Sequence, residues 1–338
     1  LTHFHSDHIA EIYEVNLGSW IGGRPAPLTV YGPRGVDEVT NAVNAGYRLD
    51  RVYRTGHHGA DLLPPALGVL QHKTIAPGVI FEDGDLKITA YVSEHPPIHP
   101  AVGYRFDYRG RSVVVSGDSN VSGETLKIVD GADLLLHDAL SLPTVTALSE
   151  AMGAAGRSRT SKIVADVIDY HASTDSLIEL GEKSDVDMVA FYHLVPVPLN
   201  SVLEDIFMRG VPDNFVLTED LMRFELPIGS DDIVSIETQL SRMRRHCLRP
   251  GNCGERRACE KRRQRGIASW SVGTSASGEG ERPEFGARQL VVAKHHPTLF
   301  AVVIRRIRSP AATDFQWRFP FAGDGRGQKN TVPDDDRA

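Results

Sequence analysis

The first eight residues, Leu-Thr-His-Phe-His-Ser-Asp-His, place three imidazoles and a carboxylate in the pattern HxHxDH, a spacing suited to metal ligation. His3 and His5 are two apart, so at the end of a strand their rings leave the same face. Asp7 and His8 follow in the turn that leads into residues 9–15. That geometry predicts one metal on the His3/His5 pair and a second on the Asp7/His8 pair. A helix cap formed by Ser6 or Asp7 explains one polar residue but not three histidines.

Further candidates stand at the ends of apolar runs. His95 follows the strand-like stretch 86–92, Asp118 closes 112–117, and His193 ends the buried-looking 186–194. In an α/β sheet the strand C-termini face one rim, where ligands scattered through the chain converge. A single strand-end histidine is ordinarily a surface residue; three such positions in order behind HxHxDH are ligand candidates. His99 competes with His95 for that place.

These residues need a scaffold, and up to about residue 235 the chain supplies one. Short apolar runs at 28–33, 86–92, 102–118, 132–138 and 186–194 alternate with helical spacing at 161–173 and 201–211. Within 102–118 a tight turn at Arg109-Gly110 predicts a hairpin. The class is layered α/β. Of the 338 residues, 41% are hydrophobic and 24% charged, which suits a globular protein, and no apolar run is long enough for a membrane span. The net charge of −7 argues against general nucleic-acid affinity.

After about residue 238 the texture changes to an arginine-rich run, then Ser/Gly-rich sequence, then a short apolar patch at 299–307. We therefore divide the chain into 1–237, a hydrolase-like domain, and 238–338, an Arg-rich, low-order tail. The tail fits a nucleic-acid arm or sequence not selected to fold with the first part. Cys247, Cys253 and Cys259 all fall there, at spacings that fit neither a zinc clip nor a disulfide framework.

From THFHSDH through HPPIHPAVGYRF, SGDS, LLLHDAL and YHAS to FYHLVP and LPIGSDDI, residues 1–234 resemble the metallo-β-lactamase superfamily, in its ribonuclease Z and arylsulfatase-like branch. The resemblance implies a four-layer αββα sandwich and two zinc ions, with Mn2+ or Fe2+ as substitutes. It assigns His3, His5 and His95 to the first ion, Asp7, His8 and His193 to the second, and Asp118 to both. Histidine at position 5, where the superfamily's di-iron oxidoreductases carry glutamate, favours zinc hydrolysis, with a metal-bridging hydroxide attacking an anionic ester. Asp7 is counted among the catalytic residues with that pair of ions.

Two more segments match the branch. LLLHDAL offers Asp138 and IDYHASTD offers His171, so Asp138 would orient His171, which would protonate the leaving oxygen or bind an anionic one. The bland alternative is a helix-terminal surface histidine. His137 is left open, since its side chain alternates to the face opposite Asp138 if the strand continues to that point. His57 and His58 would line the substrate mouth, or sit in a solvated loop.

Family members that mature transfer RNA carry a long arm, which the bacterial short form inserts between the third ligand histidine and the bridging aspartate. Here only a short loop and a hairpin join His95 to Asp118. The expected substrate is accordingly a small phosphodiester or an aryl sulfate, with transfer-RNA 3′-end cleavage second and an inactive fragment with a nucleic-acid-binding tail third. The partner set is a small anionic ester, less readily RNA, and a second copy in a homodimer, with no membrane. In the family several strands precede HxHxDH, so the chain as it begins at Leu1 is expected to lack N-terminal strands, to be poorly soluble, and to be cytoplasmic by default.

Overall fold

The computed structural model describes residues 1–219, 222–236, 290–294 and 300–304. The first half contains α1 (Ser6–Ile9), α2 (Ile12–Ile21), β1 (Leu28–Gly32), α3 (Val36–Gly46), α4 (Arg48–His58), β2 (Leu70–Thr74), β3 (Gly78–Asp83), β4 (Leu86–Val92), β5 (Val102–Tyr108) and β6 (Arg111–Val115). Then come α5 (Gly123–Val129), β7 (Leu134–Leu140), α6 (Leu142–Ala154), α7 (Ser158–Asp166), α8 (Thr174–Lys183), β8 (Met188–Val195), α9 (Ser201–Phe207) and β9 (Phe215–Leu217). Short strands follow: β10 (Arg223–Glu225), β11 (Val234–Ile236), β12 (Leu290–Lys294) and β13 (Phe300–Ile304).

The central sheet has seven strands in the order β3-β4-β5-β6-β7-β8-β9. Neighbours from β3 to β6 are antiparallel, and those from β6 to β9 are parallel. Two reversals separate β4 from β6, so β4 runs with β6, β7 and β8. All four C-termini therefore open on one rim, where such sheets bind ligands.

The strand period of two divides the apolar runs between two cores. Val114, Leu135, Val189 and Phe191 face one side, with Val129 of α5, Leu177 and Leu180 of α8 and Phe207 of α9. Val113, Val115, Leu134, Leu136, Ala190 and Tyr192 face the other, against Met222 and Phe224. Parallel strands covered on both faces need continuous apolar sequence, which is why 134–140 is buried at every position. Each buried Leu or Val there contributes about 1.5–3 kcal/mol. A separate parallel pair, β1-β2, packs through Val30 and Leu70 on Ile12 of α2 and Val36 of α3. β10-β11 and β12-β13 are antiparallel pairs. The Arg109-Gly110 turn has φ of 50° and 81°, matching the type I′ geometry whose twist suits a two-residue hairpin.

Three expectations are corrected. Residues 1–5 lie outside any named strand, and Asp7 and His8 lie within α1, not in a turn. β4 stops at Val92 and β6 at Val115, so loops carry His95 and Asp118 beyond the strands. The helical spacing at 161–173 resolves into α7 and one 3-10 turn at Val167–Asp169, which leaves His171 in the loop before α8. The arginine-rich run and Cys247, Cys253 and Cys259 lie outside the described residues. Among the described residues no helix is long and apolar enough to cross a membrane.

Candidate metal centre

Each candidate ligand reaches the rim for a local reason. Thr2 is tied to the start of β5 by the Val102 N–H, which donates to its carbonyl at 3.0 Å. His5 is the N-cap residue of α1, so the chain turns into the helix immediately after the first histidine pair. Gly117 turns the loop after β6 with φ +67°, and a Cβ there would lie 2.8 Å from the Thr2 side chain. Glycine alone fits both the backbone and the approach. His193 is the extra residue of a bulge: Asp138 pairs with Tyr192 and Ala139 with Leu194, and His193 takes φ 43°. Bulges of this kind redirect a side chain beside a functional site.

Two donor clusters result, His3/His5/His95/Asp118 and Asp7/His8/Asp118/His193, each with its ligand atoms within 4.8 Å of one another. His5 Nδ1 stands 3.0 Å from His3 Nε2 and 3.3 Å from His95 Nε2. His8 Nε2 is 3.2 Å from Asp118 Oδ2, and His193 Nε2 is 3.2 Å from Asp7 Oδ2. Ligands about 2.0–2.1 Å from a tetrahedral zinc are separated by about 3.3 Å, so these spacings fit a small cation. A second observation agrees. Asp118 Oδ1 and His193 Nδ1 are 3.5 Å apart, and both are buried without a hydrogen-bond partner.

Tautomers are set from outside the clusters. His95 Nδ1–H donates to the Tyr170 carbonyl at 2.9 Å, which leaves the Nε2 lone pair facing inward. Burial, followed by the charge of His8, lowers the His3 pKa to about 3, so the ring is neutral and ready to ligate. Burial likewise lowers that of His95. Asp7 is held at about 2, chiefly by its hydrogen bond from His193. Burial opposes ionisation of Asp118, but His193 and His8 together outweigh it and hold the carboxyl well below its usual range.

The family described as the beta-lactamase superfamily domain matches residues 1–176, just over half of the chain. The chain belongs to the metallo-β-lactamase superfamily. Within this superfamily it falls in the ribonuclease Z-like branch of the metal-dependent ester-bond hydrolases. It is 31% identical over 199 residues to a protein of Mycobacterium tuberculosis (strain CDC 1551 / Oshkosh) provisionally named ribonuclease Z, covering 58% of this chain and 83% of that one. It is also 31% identical over 199 residues to a ribonuclease Z of Mycobacterium bovis (strain BCG / Pasteur 1173P2), covering 58% of this chain and 66% of the relative. The solved metallo-beta-lactamase fold protein YhfI from Bacillus subtilis is 14% identical, with 70% of this chain and 76% of that one covered at a TM-score of 0.44.

Beside the two donor clusters lies the second set of candidates. His171 Nδ1–H donates to Asp138 Oδ2 at 2.8 Å, with both side chains buried. The His171 ring stacks 5.5 Å from His193 and lies 5.6 Å from His95, so it borders both donor clusters. Burial opposes the charge on Asp138, but hydrogen bonds from His137 and His171 outweigh it and keep the carboxyl below its usual range. His171 is therefore a buried residue with a carboxylate partner, unlike an exposed helix-terminal histidine.

Two expectations differ from what is observed. His137 does not face away from Asp138: its Nδ1 lies 2.9 Å from Asp138 Oδ1. His57 and His58, offered for the substrate mouth or a solvated loop, occupy the exposed last turn of α4 rather than a loop. His95 enters a cluster, whereas His99 is exposed and enters neither. Sequence patterns gave no signal for Tyr170, which serves through its carbonyl, or for Ser119, whose N–H donates to Asp138 Oδ1 at 3.1 Å. Main-chain roles leave no mark on residue type.

Proposed function

We propose that this chain is a dinuclear zinc hydrolase that cleaves an anionic ester, a small phosphodiester or an aryl sulfate. The observation that carries the proposal is the pair of donor clusters joined at Asp118, with His171 beside both. Six imidazole and carboxylate side chains plus the shared Asp118 suit zinc, a borderline-soft ion. His3, His5 and His95 would hold one ion, Asp7, His8 and His193 the other, and Asp118 both. Bound there, zinc supplies Lewis-acid polarisation of the ester and lowers the pKa of water toward neutrality.

The chain's own groups do the rest. Asp7 is 35% exposed, which lets its carboxylate accept a hydrogen bond from incoming water as well as hold a cation. Asp138 accepts from His171 Nδ1–H and favours the protonated ring, in which Nε2–H can pass its proton to the leaving oxygen or bind an anionic one, leaving His171 neutral with its remaining proton on Nδ1. Burial of Asp138 and His171 keeps water from competing for that hydrogen bond.

A second reading, cleavage of a transfer-RNA precursor, is supported by the names of the relatives. The segment between His95 and Asp118 favours the small ester instead, because β5, β6 and one tight turn occupy most of it and no arm projects from it. Metal analysis and three assays test the proposal. We expect two zinc ions per chain after dialysis against metal-free buffer, and release of nitrophenol from bis-nitrophenyl phosphate or nitrophenyl sulfate that is abolished by chelation. Zinc near zero would defeat the dinuclear centre. Cleavage of precursor transfer RNA with neither small ester turned over would transfer the assignment to the second reading.

A further inference from the structure

His137 is fully buried in β7, and neither donor cluster includes it. Its Nδ1 lies 2.9 Å from both the main-chain oxygen and Oδ1 of Asp138. Those atoms only accept, so Nδ1 carries the proton and donates. Its Nε2 is buried and has no hydrogen-bond partner. In period-two register with it on β7, Leu135 and Ala139 show what this strand carries where packing alone decides.

The Asp138 carboxylate is filled from two sides. Oδ1 lies 2.9 Å from His137 Nδ1, whose N–H it shares with the Asp138 main-chain oxygen, and accepts from the Ser119 N–H at 3.1 Å, while Oδ2 accepts from His171 Nδ1–H at 2.8 Å. Rotation of the carboxylate would strand buried donors on both sides, so the plane is fixed. Without the His137 donor, Oδ1 would retain only the Ser119 N–H, and the carboxylate could swing toward it and away from His171.

We propose that His137 is a positioning residue for His171, acting through Asp138: a buried His-Asp-His chain sets the orientation of the ring that borders both metal clusters. This rests on the reading of His171 as the proton-bearing group. Orienting partners one step removed from a reacting centre are worth roughly ten- to a hundredfold in activity.

The test compares His137→Leu with His137→Asn, whose amide N–H can replace the imidazole Nδ1–H. His171→Ala serves as the control on the underlying reading. In the zinc-loaded chain, His137→Leu should lower kcat about ten- to a hundredfold while KM and zinc content hold, and His137→Asn should restore most of the loss. In the 15N-labelled chain, the His171 Nδ1–H resonance should be protected from exchange in the parent and in His137→Asn, and lost in His137→Leu. Should the leucine variant fail to fold, His137→Gln, with its amide one methylene farther out, takes its place. Parental kcat with a retained resonance in the leucine variant would overturn the proposal, as would equal losses in Leu and Asn with the resonance intact in both. If His171→Ala is not slowed, the acid role fails separately, and the resonance still decides whether His137 holds the ring.

Discussion

Asp118 is the side chain that both donor clusters share, and His171 is the residue we propose as their proton donor. His171 is buried against Asp138, within ring contact of His193, yet belongs to neither cluster. Its removal should therefore separate chemistry from metal binding. We expect His171→Ala to slow turnover by about 10²–10⁴-fold, the range for a lost general acid, with zinc content still two per chain. Equal rates in variant and parent would remove His171 from the mechanism. The metal-free chain should also show the price of its buried histidines as a pH dependence. His3 titrates near 3 in the folded chain against an ordinary 6.5, so between those values the unfolded state binds a proton that the folded state does not. Stability is then complete above the ordinary value and falls as pH drops through the window, by up to about 1.4 kcal/mol per pH unit for that proton. Asp7, depressed from 3.8 to about 2, extends the loss at the acid end. Urea midpoints measured with chelator from pH 6 to pH 4 should decline steadily, and a flat profile would contradict the buried, neutral His3.

At the scale of elements, the site is made by how strands end. β4, β6 and β7 run the same way, but their regular hydrogen bonding stops short of His95 and Asp118, and β8 needs a bulge to present His193. The sequence pattern located the runs and the hairpin turn correctly because burial on both faces demands continuous apolar residues, which composition reveals. It did not show the bulge, because a residue at φ 43° in a strand is fixed by pairing with a distant neighbour. The same dependence on distant contacts makes Gly117 sensitive. Gly117→Ala meets both a left-handed backbone and the Thr2 side chain, so a loss of about 1–3 kcal/mol is expected in chemical denaturation, with zinc affinity falling alongside. Unchanged stability and affinity would mean that the close approach of Thr2 plays no part in holding His3.

At the scale of the whole molecule, the two cores on either face of the seven-stranded sheet account for most of the buried apolar residues between 86 and 224. The division between 1–237 and 238–338 is our proposal from the change in composition, and it falls immediately after β11. The backbone pairing of β12 with β13 lies within the second part. Limited proteolysis tests the boundary: a resistant product ending near residue 237 that keeps its zinc supports two separable parts, and resistance of the whole chain would make them one.

The sequence by itself determined the family and the α/β class, and it named the donor candidates, because metal ligation is restricted to a few residue types and HxHxDH places four of them within six positions. It also paired Asp138 with His171, since carboxylate and imidazole are complementary wherever they meet. Only the tertiary structure decided that His193 sits on a bulge, that His57 and His58 end a helix, and that His137 turns toward Asp138. These outcomes depend on the angle at which a loop leaves a strand and on the register of β7 against β8. Both are set by long-range packing and hydrogen bonding, which no local spacing records.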